Sequence, residues 1–340
     1  MASSGGAHPA RVTDSRKRAG TALRALVAAV GLGIVAYLVR DAGPARVLHV
    51  LWQAGPWLPI ILALEIAQFA SDYAAIRKIL ASQWIAIPLG TRVRSASLAY
   101  AMMVLLPAGR AAGEIARATL LSKNIGVSRA AAAGVQLQAA FLFANAVLSF
   151  GAWVVVQSSF GAGSVLALLL LGNVLFQAFL SAALIGILWD ARLGRWLDGM
   201  RIRFVRAQTA SVPLDPGFRR RIPWDAAVIC SIGRVAQLVQ YGVIVHAVGG
   251  VATVRGAFVG HGIRLVGNTL GDLLPSQVGV VDGAYRAFAA TLGFADAPAR
   301  ALSIAFVARI AQLVCASACI VVAALTRTAT RTEEVKYTEQ

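Results

Sequence analysis

Six apolar runs, each near the length that crosses a bilayer, constrain this chain more than any other feature. They lie at 23–39, 56–76, 130–156, 164–189, 224–248 and 300–325. A helix needs about 20 apolar residues to traverse roughly 30 Å of hydrocarbon. Inside hydrocarbon every backbone N–H and C=O must be satisfied within the segment, which a helix achieves alone. The runs therefore predict an all-α polytopic membrane protein of about six spanning helices. Composition agrees, with 58% apolar and 14% charged residues and a mean hydropathy of +0.70. Soluble domains stand nearer 45–50% and about 25%. The run at 23–39 reads as a retained first helix, because no small-x-small cleavage site follows it.

The charge balance sets the expected topology. There are 32 Lys and Arg against 15 Asp and Glu, a net charge of +17. A basic chain of this kind invites a nucleic-acid partner, but no basic module with interleaved aromatics stands outside the apolar runs. The arginines fall between the runs instead, where they report topology and contact with anionic lipid heads. The loop 191–223 carries Arg192, Arg195, Arg201, Arg203, Arg206, Arg219, Arg220 and Arg221. A small, polar, basic arm covers 1–22, and a tail covers 327–340. With all three on the cytoplasmic side, the domain 23–326 crosses six times and both termini are cytoplasmic.

Two further segments do not read as simple spans. Residues 95–122 break at Pro107 and continue into a charged helical stretch; residues 253–293 repeat that plan around Pro275. Each is expected to enter the membrane as a helical hairpin and turn back at the proline. LLPAGRAAGEIARATLL (105–121) and LLPSQVGVVDGAYRAFA (273–289) both place an acid seven residues after proline, Glu114 and Asp282. Pro56-Trp57 likewise recurs as Pro223-Trp224. The units 55–157 and 222–326 thus form a repeat, and the loop charges make it inverted. Transporters built on inverted repeats bind substrate where broken helices meet near the midplane.

Charged residues within such segments need a reason, because each costs about 2.5–3.5 kcal/mol on insertion scales. Glu65, Gln68 and Asp72 share one helix face, and Arg234, Gln237 and Tyr241 hold the corresponding positions of the second unit. An acidic stripe facing a basic one is either an ion-pair network that docks the repeats or a polar path. Arg110, Glu114 and Arg117 follow the first break at i, i+4 and i+7. They form a phosphate seat at a helix start, or Glu114 merely neutralises its two arginines. Around the second break, Asp282 and Arg286 make an i, i+4 pair beside Tyr285, with Arg264, Asn268 and Asp272 preceding; Arg309 is the last deep cation. These residue types suit an amphiphile with an anionic or polar head.

Catalytic and metal chemistry leave no recognisable pattern. Cys230, Cys315 and Cys319 sit in apolar runs and His8, His49, His246 and His261 are scattered, so neither a metal site nor a cofactor is expected. His261, between Gly260 and Gly262, reads as a polar hairpin residue, with an acid–base role as the alternative.

The stretch Pro107-Ala-Gly-Arg-Ala-Ala-Gly-Glu-Ile-Ala-Arg117 resembles the proline–glycine–glutamate–arginine motif of the lysylphosphatidylglycerol synthase/flippase transmembrane family. Gly279-Val-Val-Asp-Gly-Ala-Tyr285 resembles that family's second motif, and its ending is similar to members associated with hopanoid biosynthesis. The chain departs in Ser276-Gln277-Val278, where relatives are glycine-rich, and in Asp282, where glutamate is common. The residues after 326 are too few for the aminoacyl-transferase domain of bifunctional members, so what the resemblance leads one to expect is the lipid-translocating half alone. A lipid flippase of a bacterial inner membrane is the leading expectation, its partners being phospholipids, modified phospholipids or hopanoids. A membrane enzyme or subunit for lipid or glycan modification, using Glu114, Asp282 or His261, is the runner-up. A non-catalytic scaffold of a lipid-pathway complex is the third.

Overall fold

The computed structural model describes residues 33, 36–106, 109–189, 222–271 and 279–338, with side chains to 326. Ten helices organise the described residues: α1 (Pro44–Ala54), α2 (Leu58–Leu80), α3 (Leu89–Leu105), α4 (Gly109–Ile125), α5 (Val127–Phe160), α6 (Val165–Trp189), α7 (Trp224–Ala247), α8 (Val254–Gly271), α9 (Val280–Ala287) and α10 (Pro298–Thr338). Short turns of helix at Gly55–Trp57, Gln83–Ala86 and Ala290–Leu292 join them. There is no strand among the described residues.

Five helical segments are long and apolar enough to cross a membrane: Pro44–Leu80, Val127–Phe160, Val165–Trp189, Trp224–Ala247 and Pro298–Thr326. Each covers one of the apolar runs read from the sequence to within a residue. The sixth run, 23–39, falls mostly outside the described residues, as do the basic arm and the loop 191–223. The tail expected after 326 begins as a continuation of α10, whose backbone stays helical to Thr338.

Local chemistry explains where the helices stop. Leu106 is extended (φ −102°, ψ 150°), as the residue before a proline must be, and this ends α3. Gly109 then opens α4 against α3 so closely that a Cβ there would collide with the Met103 carbonyl oxygen. On the second side α9 starts after Gly279, whose φ of 87° only glycine adopts without strain. Residues 272–278, including Asp272 and Pro275, lie outside the described residues.

The packing order crosses the two halves of the chain. Helix α2 lies along α7; α3 packs on α4 and on α10; α8 packs on α9 and on α5. Each helix that precedes a break thus leans on the long helix of the other half. At the α2–α7 seam a Cβ on Gly233 would collide with the Ser71 hydroxyl, so the backbones approach closely. One core joins Ile61, Leu170, Tyr241, Ile263, Tyr285 and Ile304; a second joins Ile76, Trp84, Leu121, Leu137 and Cys230. Outward, α6 presents Leu168, Leu175, Phe176 and Phe179 exposed, the surface a helix offers to lipid rather than to water.

Candidate functional site: a central arginine-lined cavity

The stripe on α2 meets α7, but not as an ion pair. Glu65 is buried, and its carboxylate accepts from neutral donors: the Tyr100 hydroxyl at 2.6 Å and Gln240 Nε2 at 2.8 Å. Gln240 Nε2 also donates to the Ile61 carbonyl at 3.0 Å, and Gln68 Nε2 donates to Gln240 Oε1 at 3.0 Å. Arg234, in turn, donates from Nη1 to Gln237 at 2.5 Å. The expected docking of acidic on basic stripe is therefore replaced by amides and a tyrosine. Such donors satisfy a buried carboxylate without burying a second full charge. Sequence reading missed Gln240 and Tyr100; Gln240 lies one turn beyond Gln237, a signal that was present.

Both halves converge on one cavity of about 170 Å³. Four arginines line it, each from a different helix: Arg110 of α4, Arg234 of α7, Arg264 of α8 and Arg309 of α10. Among the described residues, two acids, Glu65 and Asp72, share that wall. Tyr241, Asn268, Thr269, Asn145 and Gln177 add polar surface. Arg110 Nε donates to Gln138 Oε1 at 2.7 Å, and its guanidinium carbon lies 2.8 Å from the centre of the Phe141 ring. Arg234 approaches the same ring at 4.2 Å. Two like charges so close repel by at least about 2 kcal/mol at an effective dielectric of about 20. Asp72 lines the same cavity but forms no ion pair with either among the described residues, and its Oδ1 has no hydrogen-bond partner there. Arg264 lies 5.1 Å above the Tyr241 ring, a cation–π contact.

The first motif touches two cavities. Arg110 lines the central one and also, with Glu114 and Arg117, a small neighbouring one of about 10 Å³ against α2 and α3. There Arg117 Nη1 stands 3.3 Å from Glu114 Oε1, both nearly buried. All three residues of the seat expected at the start of α4 meet at that small cavity, which has room for about one water, and the alternative, Glu114 neutralising an arginine, is seen for Arg117. Arg110 lies one turn before Glu114 with its guanidinium against Phe141, and the following turn is pressed against Ala99 through Gly113.

The second motif is rearranged. Asp282 is fully buried and accepts from the Gly279 backbone N–H at 2.8 Å, closing the first turn of α9. Its two oxygens hold Arg309 of α10 at 3.2 and 3.1 Å. The expected Asp282–Arg286 pair is not formed. Arg286 reaches outward to Asp41 at 2.9 Å, both half-exposed, and lies away from the cavity. Tyr285 is buried, donates to the Gly260 carbonyl at 2.8 Å and stacks parallel to Tyr241. Arg309 thus reaches the cavity wall with Asp282 and Tyr285 behind it.

A polar chain unread in the sequence runs beside the cavity. Asn173 Nδ2 donates to the Ser149 hydroxyl at 2.7 Å, Thr269 donates to Asn173 Oδ1 at 2.6 Å, and Gln177 Nε2 donates to Thr269 at 3.1 Å. It ties α5, α6 and α8 together. Its signal was the i, i+4 spacing of Asn145 with Ser149 and of Asn173 with Gln177 in otherwise apolar helices. His261 is fully buried against the Tyr241 ring at 5.8 Å and, like Glu114, does not line the central cavity. Among the described residues no three His, Cys, Asp or Glu side chains gather as a metal-binding set. No family model, curated protein or solved structure matches the chain.

Proposed function

We propose that this chain is a lipid transporter of the flippase type, carrying an anionic or polar-headed lipid across a bacterial inner membrane. The observation that carries the reading is the central cavity, where four arginines from four helices outnumber the described acids that meet them, Glu65 and Asp72 on its wall and Asp282 behind Arg309. One of those acids, Glu65, is already engaged by Tyr100 and Gln240. A positive surplus inside a bundle with an apolar exterior is costly unless an anion shares the space. A cavity of about 170 Å³ suits a headgroup, with the acyl chains left outside among the exposed apolar side chains.

In this reading the units 55–157 and 222–326 are inverted repeats, six helices span the membrane, and both termini are cytoplasmic. The crossed packing of α3 on α10 and α8 on α5 supports it, since a pseudo-two-fold axis would exchange those contacts. The resemblance to the lysylphosphatidylglycerol synthase/flippase family supports the same cargo class. The test is reconstitution in liposomes with labelled phospholipids and hopanoids, under imposed proton and sodium gradients. Lipid moving between leaflets faster than in empty vesicles is the expected result. Equal rates under every gradient would remove the reading, and a chemically altered lipid would replace it with a modifying enzyme.

A further inference from the structure

Two of the cavity arginines are brought from different halves of the chain to one aromatic ring. Arg110 and Arg234 place their guanidinium carbons 2.8 and 4.2 Å from the Phe141 centroid. The two carbons are therefore no farther apart than these distances together. Each is oriented by its own neutral amide, Arg110 by Gln138 and Arg234 by Gln237. Neither is joined to a carboxylate by contact among the described residues. This differs from Arg309, which Asp282 holds, and from Arg117, which Glu114 holds.

The cavity beside them also exposes buried polar atoms without partners. Arg234 is 7% exposed, and its Nε has no hydrogen-bond partner. Asn145 Oδ1 and Gln177 Oε1, on side chains 7% and 5% exposed, are unpartnered too, and all three residues line the cavity. Buried polar atoms are nearly always satisfied, so the void calls for a polar ligand: an oxyanion would accept from the Arg234 N–H, and the two amide oxygens would accept from donor groups beside it. Paired guanidinium forks match the oxygens of a tetrahedral oxyanion better than a single ammonium does. Phe141 touches both guanidiniums and so keeps them within about 7 Å of each other.

We propose that Arg110 and Arg234, held over Phe141, form a seat for one phosphate group. For the source of that phosphate, a lipid head, the seat rests on the transport reading. Asp72 is the competing anion: it lines the same cavity without pairing with either arginine, and its Oδ1 has no hydrogen-bond partner. Because one guanidinium comes from α4 and the other from α7, an occupied seat ties the two halves of the chain together.

The test is calorimetric titration of the full chain in non-ionic detergent with inorganic phosphate and, separately, with dihexanoyl phosphatidic acid. Arg110→Gln and Arg234→Gln should each weaken binding about 10- to 100-fold. Asp72→Asn should tighten it, a gain that misfolding cannot imitate, and Arg255→Gln, on α8 beside Phe160, should leave it unchanged. Phosphatidic acid displacing inorganic phosphate identifies the lipid head as the occupant. Binding of inorganic phosphate alone keeps the seat and removes the lipid from it. No binding of either probe, or Asp72→Asn binding no more tightly than the native chain, overturns the seat. Liposomes that still move lipid after that result would leave the transport reading standing without it.

Discussion

After the first proline the acid seven residues on, Glu114, turns to Arg117 on its own helix and stays off the central cavity. After the second, Asp282 at the same spacing is fully buried, closes the first turn of α9 and grips Arg309 on α10. The lengths differ as well: α4 has 17 residues and can hold an ion pair within itself, whereas α9 has eight. A short helix has few internal hydrogen bonds and depends on a cap and on neighbours for its place. Equal spacing from a proline therefore marks equal positions in the chain, while the packing around each acid decides its work.

The comparison breaks most decisively at Asp282. Asp282→Asn keeps an oxygen for the Gly279 N–H but leaves Arg309 unpaired. It should cost about 3 kcal/mol or more, because one partner of a largely buried pair is removed. Thermal unfolding in detergent would show this as the largest loss among these variants. A cost below that of the milder variants below would mean that Arg309 finds another anion.

Next in size is a glycine comparison between the two regions. A Cβ on Gly113 would collide with the Ala99 carbonyl oxygen, and Gly113→Ala should destabilise by about 1–3 kcal/mol. Gly283, on α9, has nothing within 4 Å of its would-be Cβ, so Gly283→Ala should be neutral or slightly stabilising. Opposite signs sharpen the contrast between a helix pressed close along its length and one anchored at its cap; equal losses would erase it. Tyr285→Phe removes the bond to the Gly260 carbonyl and should cost about 1 kcal/mol by the same melting measurement. The smallest effect belongs to Arg286→Gln. Its pair with Asp41 is half-exposed, and the change should stay within about 0.5 kcal/mol.

Some of this protein was legible without coordinates because the hydrocarbon criterion is local. A run such as 224–248 declares a helix by composition alone, and Pro107 declares the end of α3 through its effect on Leu106. Helical periodicity also put Glu65 and Gln68 on a common buried face and singled out Arg110, Arg234, Arg264 and Arg309, all four of which line one cavity. Sequence spacing, however, proposed partners only along a helix or between matched repeat positions. It paired Asp282 with Arg286 and set Glu65 against Arg234, where the fold joins Asp282 to Arg309 and Glu65 to Tyr100 and Gln240. Which side chain meets which depends on the rotation and close approach of α2 on α7 and of α9 on α10. Those are set by contacts such as Gly233 on Ser71 between residues far apart in the chain. The charges to be buried were written in the sequence; their partners were chosen by packing.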